Sequence, residues 1–375
     1  MASNWQGRRT MRVPSMMRSV FSARGGRKIS GRLSAARIDV LRDAGRDGHI
    51  GRVKRIGILT SGGDAPGMNA AIRAVVRSAG PRGITVVGYL DGYSGFVAGE
   101  FEELDDRAVG NIIHRGGTII GTSRCPEFLD AAVRAAAARQ MHEDRVEGLI
   151  VIGGDGSFRG ALALHEEQGT LVAGVPGTID NDVYGTDETI GFDTAMNTAV
   201  LAIDQVRDTS ESTGTMFFVE VMGRTSGALA LQTALAAGAA GVLVPEAQGE
   251  FSELAKRLRA SIEKGKRSHI IVVAEGEEPG GAFAVAERMA KAIDHPYRVV
   301  VLGHVQRGGR PTARDRIIAA EAGALAVQAL CAGRSGIMIG RRDGRSFEVP
   351  LVDVVRFKHP RPQYGLLQLA QELSG

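Results

Sequence analysis

Residues 148–164 read GLIVIGGDGSFRGALAL: an apolar run, a glycine-rich turn carrying Asp155, then a stretch of strong helix formers. A short apolar run bounded by glycines suits a strand buried on both faces. The same order recurs along the chain. RIGILT (55–60) runs into SGGDAPGMN, LVAGVP (171–176) into GTIDNDVYG, and MFFVEV (216–221) into MGRTSGALALQTAL. IIVVAE (270–275) precedes a glycine-rich turn, and RVVVLG (298–303) precedes HVQRGG. Strands alternating with helices predict an α/β fold with mostly parallel sheets covered by helices. In such sheets ligands bind beyond the carboxyl ends of the strands, which is where these polar loops fall.

At 375 residues the chain exceeds one typical core, so two closely packed domains are expected. Boundaries are placed at about 55–190 with a return segment at 304–354, and at 191–303 with 355–375. Residues 1–54 hold 13 Lys/Arg against 3 Asp, net +10, which leaves −6 for the remainder. The basic pI of about 9.2 therefore belongs to an extension and not to the body. That Arg-, Ser- and Gly-rich extension reads as disordered: a polyanion- or nucleic-acid-contacting arm, a transit-like segment, or an over-extended start before Met11, Met16 or Met17. Two distant cysteines, Cys125 and Cys331, have no metal-ligand spacing and form no disulfide framework, which fits a reducing cytoplasm. No run of about eighteen apolar residues is present to span a membrane.

The loops carry the chemistry. Thr60 to Asn69 (TSGGDAPGMN) follows a strand and opens a helix, so backbone N–H groups and the helix dipole can meet an anion there. A tight turn needs no ligand, and neither GxxxxGK[ST] nor a full GxGxxG occurs in it. Asp155, between glycines after a strand, is placed to hold Mg²⁺ beside a triphosphate. It could equally cap the following helix. PGTIDND (176–182) sets Asp180 and Asp182 two residues apart. Asp180 suits a general base and Thr178 a hydrogen-bond donor for phosphoryl transfer, although paired Asp residues also form turns. Arg224, His304 and Arg307 supply cations at strand ends, and Glu275 an acceptor for sugar hydroxyls.

TSGGDAPGMNAAIR, RGGTIIGTSRCPEF, VIGGDGS, PGTIDND, GTDETIGFDTA, VEVMGR and LGHVQRGG occur in this order between Lys54 and Leu330. Together they closely resemble the bacterial ATP-dependent 6-phosphofructokinase family. The resemblance implies two Rossmann-like domains, the first binding ATP and the second fructose 6-phosphate, usually in a homotetramer. It also implies ATP at Gly63, Arg124, Cys125, Gly154, Asp155, Gly156 and Ser157, with Asp155 on Mg²⁺. Thr178, Ile179 and Asp180 would meet the reacting groups, with Asp180 as general base supported by Asp182. Met222, Gly223, Arg224, Glu275, His304, Val305, Gln306 and Arg307 would bind the sugar phosphate, and Arg298 would reach across a subunit interface. Arg73, Arg77, Arg207, Lys264 and Lys266 fall where the family binds a regulatory nucleotide.

Two positions depart from that pattern. Thr215 stands where the family commonly has a second interface arginine for the 6-phosphate, so weaker or less specific sugar-phosphate binding is expected, with a related acceptor such as sedoheptulose 7-phosphate as the alternative. Ala240 stands where a glutamate helps hold the effector's metal, which puts nucleotide activation in doubt. The nearest rival is a pyrophosphate-dependent phosphofructokinase, for which the resemblance predicts Asp at 156 and Lys at 177. Both are Gly, read here as space for the rest of ATP.

Overall fold

The central strands are apolar on both faces, and each ends in a polar loop on the same side of its sheet. The computed structural model describes residues 53–247, 251–358 and 364–374, so nearly all of the basic extension lies outside the described residues. The strands are β1 Arg55–Ser61, β2 Thr85–Tyr89, β3 Phe101–Glu103, β4 Gly148–Gly153, β5 Leu171–Thr178 and β6 Ile190–Gly191. They continue as β7 Met216–Val221, β8 Gly241–Leu243, β9 His269–Ala274, β10 Tyr297–Val301, β11 Ile337–Arg342 and β12 Arg345–Pro350. A first sheet runs β12-β11-β5-β4-β1-β2-β3, with β6 added beside β5. Only the β2–β3 and β11–β12 pairs in it are antiparallel. The second sheet, β10-β7-β9-β8, is parallel throughout.

Helices cover both sheets, as parallel strands buried on two faces require. Met68–Ala79 and Ala313–Cys331 cross on one face of the first sheet. They cross so closely that a Cβ on Gly323 would lie 2.8 Å from the Ala71 carbonyl oxygen. One buried cluster runs from Ile58, Ile150 and Val175 of the first sheet to Val219 and Val272 of the second and Leu229 of helix Ala228–Ala236. The C-terminal helix Tyr364–Leu373 packs on helix Ala228–Ala236. There Arg257 donates from Nη1 to the Gln371 carbonyl at 3.1 Å.

The six strands read from sequence are present within a residue or two at each end. Of the strands not read there, β3, β6 and β8 have only two or three residues and β12 lies at a sheet edge, whereas β2 and β11 are interior strands of five and six residues. β3 buries none of its three residues fully, so it has no apolar period to detect. The β11–β12 hairpin did carry a signal, Asp343-Gly344, whose φ values of 51° and 76° are those a type I′ turn demands. Cys125 and Cys331 are not joined in a disulfide. Among the described residues no helix is long and apolar enough to cross a membrane.

Candidate active site

Long-range hydrogen bonds draw the strand-end loops of both sheets together. Ser157, in the first turn of helix Asp155–Gln168, donates from Oγ to the Ser61 carbonyl at 3.0 Å, joining the loops after β1 and β4. The Tyr93 hydroxyl braces Ser157 by donating to its carbonyl at 2.8 Å. Arg307, after β10, donates from Nη1 to the Asp64 carbonyl at 3.0 Å. A Cβ on Gly63 would lie 2.0 Å from that nitrogen, so glycine here is what lets the guanidinium reach the β1 loop. Gln306, fully buried, accepts from the Met222 N–H at 2.9 Å and locks the MGR turn to the β10 loop.

Asp180 sits where these loops converge. Its side chain is 5% exposed, and Oδ2 lies 3.6 Å from Arg224 Nε. Oδ1 has no hydrogen-bond partner among the described residues. A buried carboxylate oxygen without a donor costs about 1–3 kcal/mol, a cost that a donor from outside the chain would relieve. Burial pushes the Asp180 carboxyl above its usual range, opposed by the charges of Arg224 and Arg307. Asp182 is raised too, by burial first and then by the charge of Asp180. Thr178 Oγ1 accepts from the Asp180 N–H at 3.2 Å.

The backbone at this point is itself constrained. Asn181 and Arg224 hold φ of 48° and 53°, a left-handed region that non-glycine residues seldom occupy. Asn181 is kept there by accepting from the Thr189 N–H at 2.9 Å and donating to the Asp187 carbonyl at 3.1 Å. Sequence reasoning passed over Asn181 because it treated the carboxylates of PGTIDND and not the residue between them.

Asp155 opens its helix with a half-exposed carboxylate, paired with Arg159 at 2.7 Å. Its charge is felt at Asp182, which places it beside the Asp180 loop. No group of three His, Cys, Asp or Glu side chains gathers among the described residues, so the site offers carboxylates one or two at a time. That donor set fits a magnesium ion bound through one or two carboxylates with its remaining ligands from phosphate and water. Gly154 lies between Asp155 and β4, while Arg124 and Cys125 lie in the turn before Pro126, with Arg124 exposed.

Other expected residues divide by position. Met222, Gly223, Glu275 and His304 stand at the ends of β7, β9 and β10, with Glu275 close enough to Asp180 to act on its charge. Ile179 is fully buried, and so are Gln306 and, nearly so, Ser157. Ser157 and Gln306 serve as struts through the bonds described above. Val305 is 63% exposed. Arg298 is exposed on the edge strand β10, where its Nη1 bonds the Tyr297 carbonyl at 2.9 Å. It borders a groove of about 790 Å³ lined also by Phe283, His295 and Tyr297. Thr215 precedes β7 alongside, its carbonyl accepting from Ser210 Oγ at 2.8 Å.

The reading of two glycines as space for a nucleotide separates into two cases. A Cβ on Gly156 meets nothing within 4 Å, so that position is open. A Cβ on Gly177 would lie 2.9 Å from Ile152 Cγ2 and 3.4 Å from Met68 Cε, so this glycine is small because the core behind β5 is full.

The expected effector cations lie on separate elements. Arg73 and Arg77 lie on helix Met68–Ala79 at the first sheet, and Arg77 pairs with Asp106 at 3.1 Å. Arg207 donates to the Ala237 carbonyl near the buried Ala240, while Lys264 and Lys266 are exposed after helix Phe251–Glu263. No hydrogen bond or ion pair among the described residues joins the two groups.

Residues 55–330 match the phosphofructokinase family. A Thermus thermophilus protein named ATP-dependent 6-phosphofructokinase 1 is 52% identical over 322 residues, 86% of this chain and all of that protein. The structure of phosphofructokinase from Saccharomyces cerevisiae is similar at a TM-score of 0.75 and 35% identity. That match covers 81% of this chain and 45% of the yeast chain, so this chain spans less than half the length of its fungal relative. A pyrophosphate-dependent phosphofructokinase from Marinobacter aquaeolei superposes at a TM-score of 0.74 over 85% of this chain and 91% of its own, with 23% identity, and shares the fold.

Proposed function

Because this chain belongs to the phosphofructokinase family, we propose that it phosphorylates fructose 6-phosphate at the 1-hydroxyl with ATP, using Asp180 as general base. The observation that carries the reading is the buried, unpartnered Asp180 Oδ1 beside Arg224. A substrate hydroxyl is the donor this oxygen lacks. Asp180 accepts the hydroxyl proton, the sugar oxygen bonds the terminal phosphorus of ATP, and the bridging bond breaks to release ADP. Burial raises the basicity of Asp180, which brings it nearer the operating pH. Arg224 is placed both to restrain that rise and to meet charge on the transferring group. Magnesium, held through Asp155, would neutralise polyphosphate charge.

The neighbouring loops complete the proposed site. Met222 to Arg224, Glu275, His304 and Arg307 bind the sugar phosphate, and the loops bearing Gly63, Arg124, Cys125 and Gly154 to Ser157 take ATP. The open position at Gly156 favours ATP over pyrophosphate. A homotetramer is supported by the edge strand β10, where Arg298 and Val301 are exposed and Phe283 of helix Gly281–Ile293 lines the same groove as Arg298. Such an edge is ordinarily covered, and a partner there would receive Arg298. Arg73, Arg77, Arg207, Lys264 and Lys266 would bind a phosphorylated effector. A cytoplasmic location follows from the glycolytic reading. The two-domain division proposed is 55–190 with 304–354 and 191–303 with 355–375.

The deciding experiment is a coupled assay comparing ATP with pyrophosphate as donor, and fructose 6-phosphate with sedoheptulose 7-phosphate as acceptor. Higher kcat/KM with ATP and fructose 6-phosphate supports the reading. A preference for pyrophosphate overturns the donor, and a preference for the seven-carbon sugar overturns the acceptor.

A further inference from the structure

Asp315 is fully buried in the first turn of helix Ala313–Cys331, eight residues beyond Arg307. Its carboxylate accepts three hydrogen bonds. Oδ1 takes the Gly191 N–H at 2.8 Å, while Oδ2 takes the Thr194 N–H at 2.8 Å and the Thr194 hydroxyl. Thr194 Oγ1 in turn accepts from the Thr312 N–H at 3.0 Å. Gly67, which opens the helix after the β1 loop, faces the same spot. A Cβ there would lie 2.5 Å from Ile190 Cγ2 and 3.6 Å from Asp315 Cβ. One carboxylate therefore sits where the helices following the β1, β6 and β10 loops all begin.

β6 has two residues, and Gly191 in it pairs with Thr178 of β5. Thr178 Oγ1 is the acceptor for the Asp180 N–H. A two-residue ladder is a weak hold by itself; Thr189 ties it to β5 by donating from Oγ1 to the Thr178 carbonyl at 2.7 Å, and the Asp315 carboxylate grips its other end at Gly191 and Thr194. We infer that Asp315 is a positioning residue for phosphoryl transfer, setting Thr178 and Asp180 through Gly191 and Thr194. This rests on Asp180 being the general base. Burial pushes the Asp315 carboxyl up to about 6. The Thr194 and Gly191 donors oppose that rise. Small misplacement of a reacting group can cost about 10²-fold in rate without touching the substrate.

The test compares Asp315→Asn, Thr194→Val, Thr194→Ser, Asp180→Asn and the Asp315→Asn/Asp180→Asn double variant, each checked for Tm and for kcat and KM. Asp315→Asn puts an amide donor against N–H donors. It should lower kcat by about 10- to 100-fold while KM for ATP stays within about threefold. Thr194→Val, lacking the hydroxyl, should lose about three- to tenfold in kcat, and Thr194→Ser should keep most of it. The double variant should be no slower than Asp180→Asn, since a base that is absent cannot be misplaced. Should Asp315→Asn not fold, the Val–Ser contrast at 194 carries the decision. Equal turnover of the Val and Ser variants, an unchanged kcat in Asp315→Asn, or multiplied losses in the double variant would each overturn the inference. Wild-type turnover in Asp180→Asn would instead overturn the base assignment.

Discussion

Replacing Asp180 with Asn should slow the enzyme and stabilise it at the same time. The change keeps size and shape but removes the proposed base. A positioned general base contributes about 10²–10⁴-fold, or roughly 3–5 kcal/mol of barrier at about 1.4 kcal/mol per factor of ten. ATP binding should barely change, because the Asp180 side chain is buried against Arg224 and not at the open Gly156 side. The stability effect follows from the raised carboxyl. Between its unfolded and folded pKa values the folded chain binds the extra proton, so folding favours the neutral form. As pH rises through the folded pKa, the ionised wild-type side chain loses that advantage, whereas the asparagine amide, neutral throughout, does not. The amide adds a donor that the carboxylate lacks, but relief of one ill-satisfied buried charge should be worth about 1 kcal/mol. The assay pairs coupled turnover with Tm from pH 4 to 8. The variant should melt a few degrees higher at pH 8, with the gap closing as pH falls through the folded pKa. Wild-type turnover would refute the base role, and a Tm gap that widens toward acid pH would refute the electrostatic account.

Arg224 lowers the Asp180 pKa, so Arg224→Met should move the acid limb of the kcat/KM profile to higher pH and cut kcat by about 10²–10³-fold; an unmoved limb counts against the pairing. Gly156→Asp should impair ATP use with little change in Tm, because its side chain enters open space. Gly177→Lys should lower Tm, because its Cβ meets Ile152 and Met68; thermal melts of the two single variants separate these effects. With Ala240 in place of a carboxylate, ADP should activate weakly or not at all while any phosphoenolpyruvate effect persists. Effector titrations at sub-saturating fructose 6-phosphate check this, and strong ADP activation abolished by Arg207→Ala would contradict it.

The strand-then-loop order of β1, β4, β5, β7, β9 and β10, and the carboxylates and cations in the loops that follow them, were legible in the sequence by itself. Apolar period and glycine placement are local properties, and in a parallel sheet the position of a loop after a strand already says which side it faces. The short edge strands β3, β6 and β8 were not legible, having too few residues to show a period. Roles that depend on what lies across the fold were decided only by tertiary structure. Gln306, an expected sugar-phosphate contact, also accepts through Oε1 from the Met222 N–H, 84 positions away. Gly177, read as room for ATP, is packed against Ile152. Asp315 acts on Gly191 from 124 positions away, and Arg307 on Asp64 from 243. A hydrogen bond depends on distance and direction in space, and nothing in the local pattern around PTARDR records that its Asp meets the N–H of a glycine beside the catalytic strand.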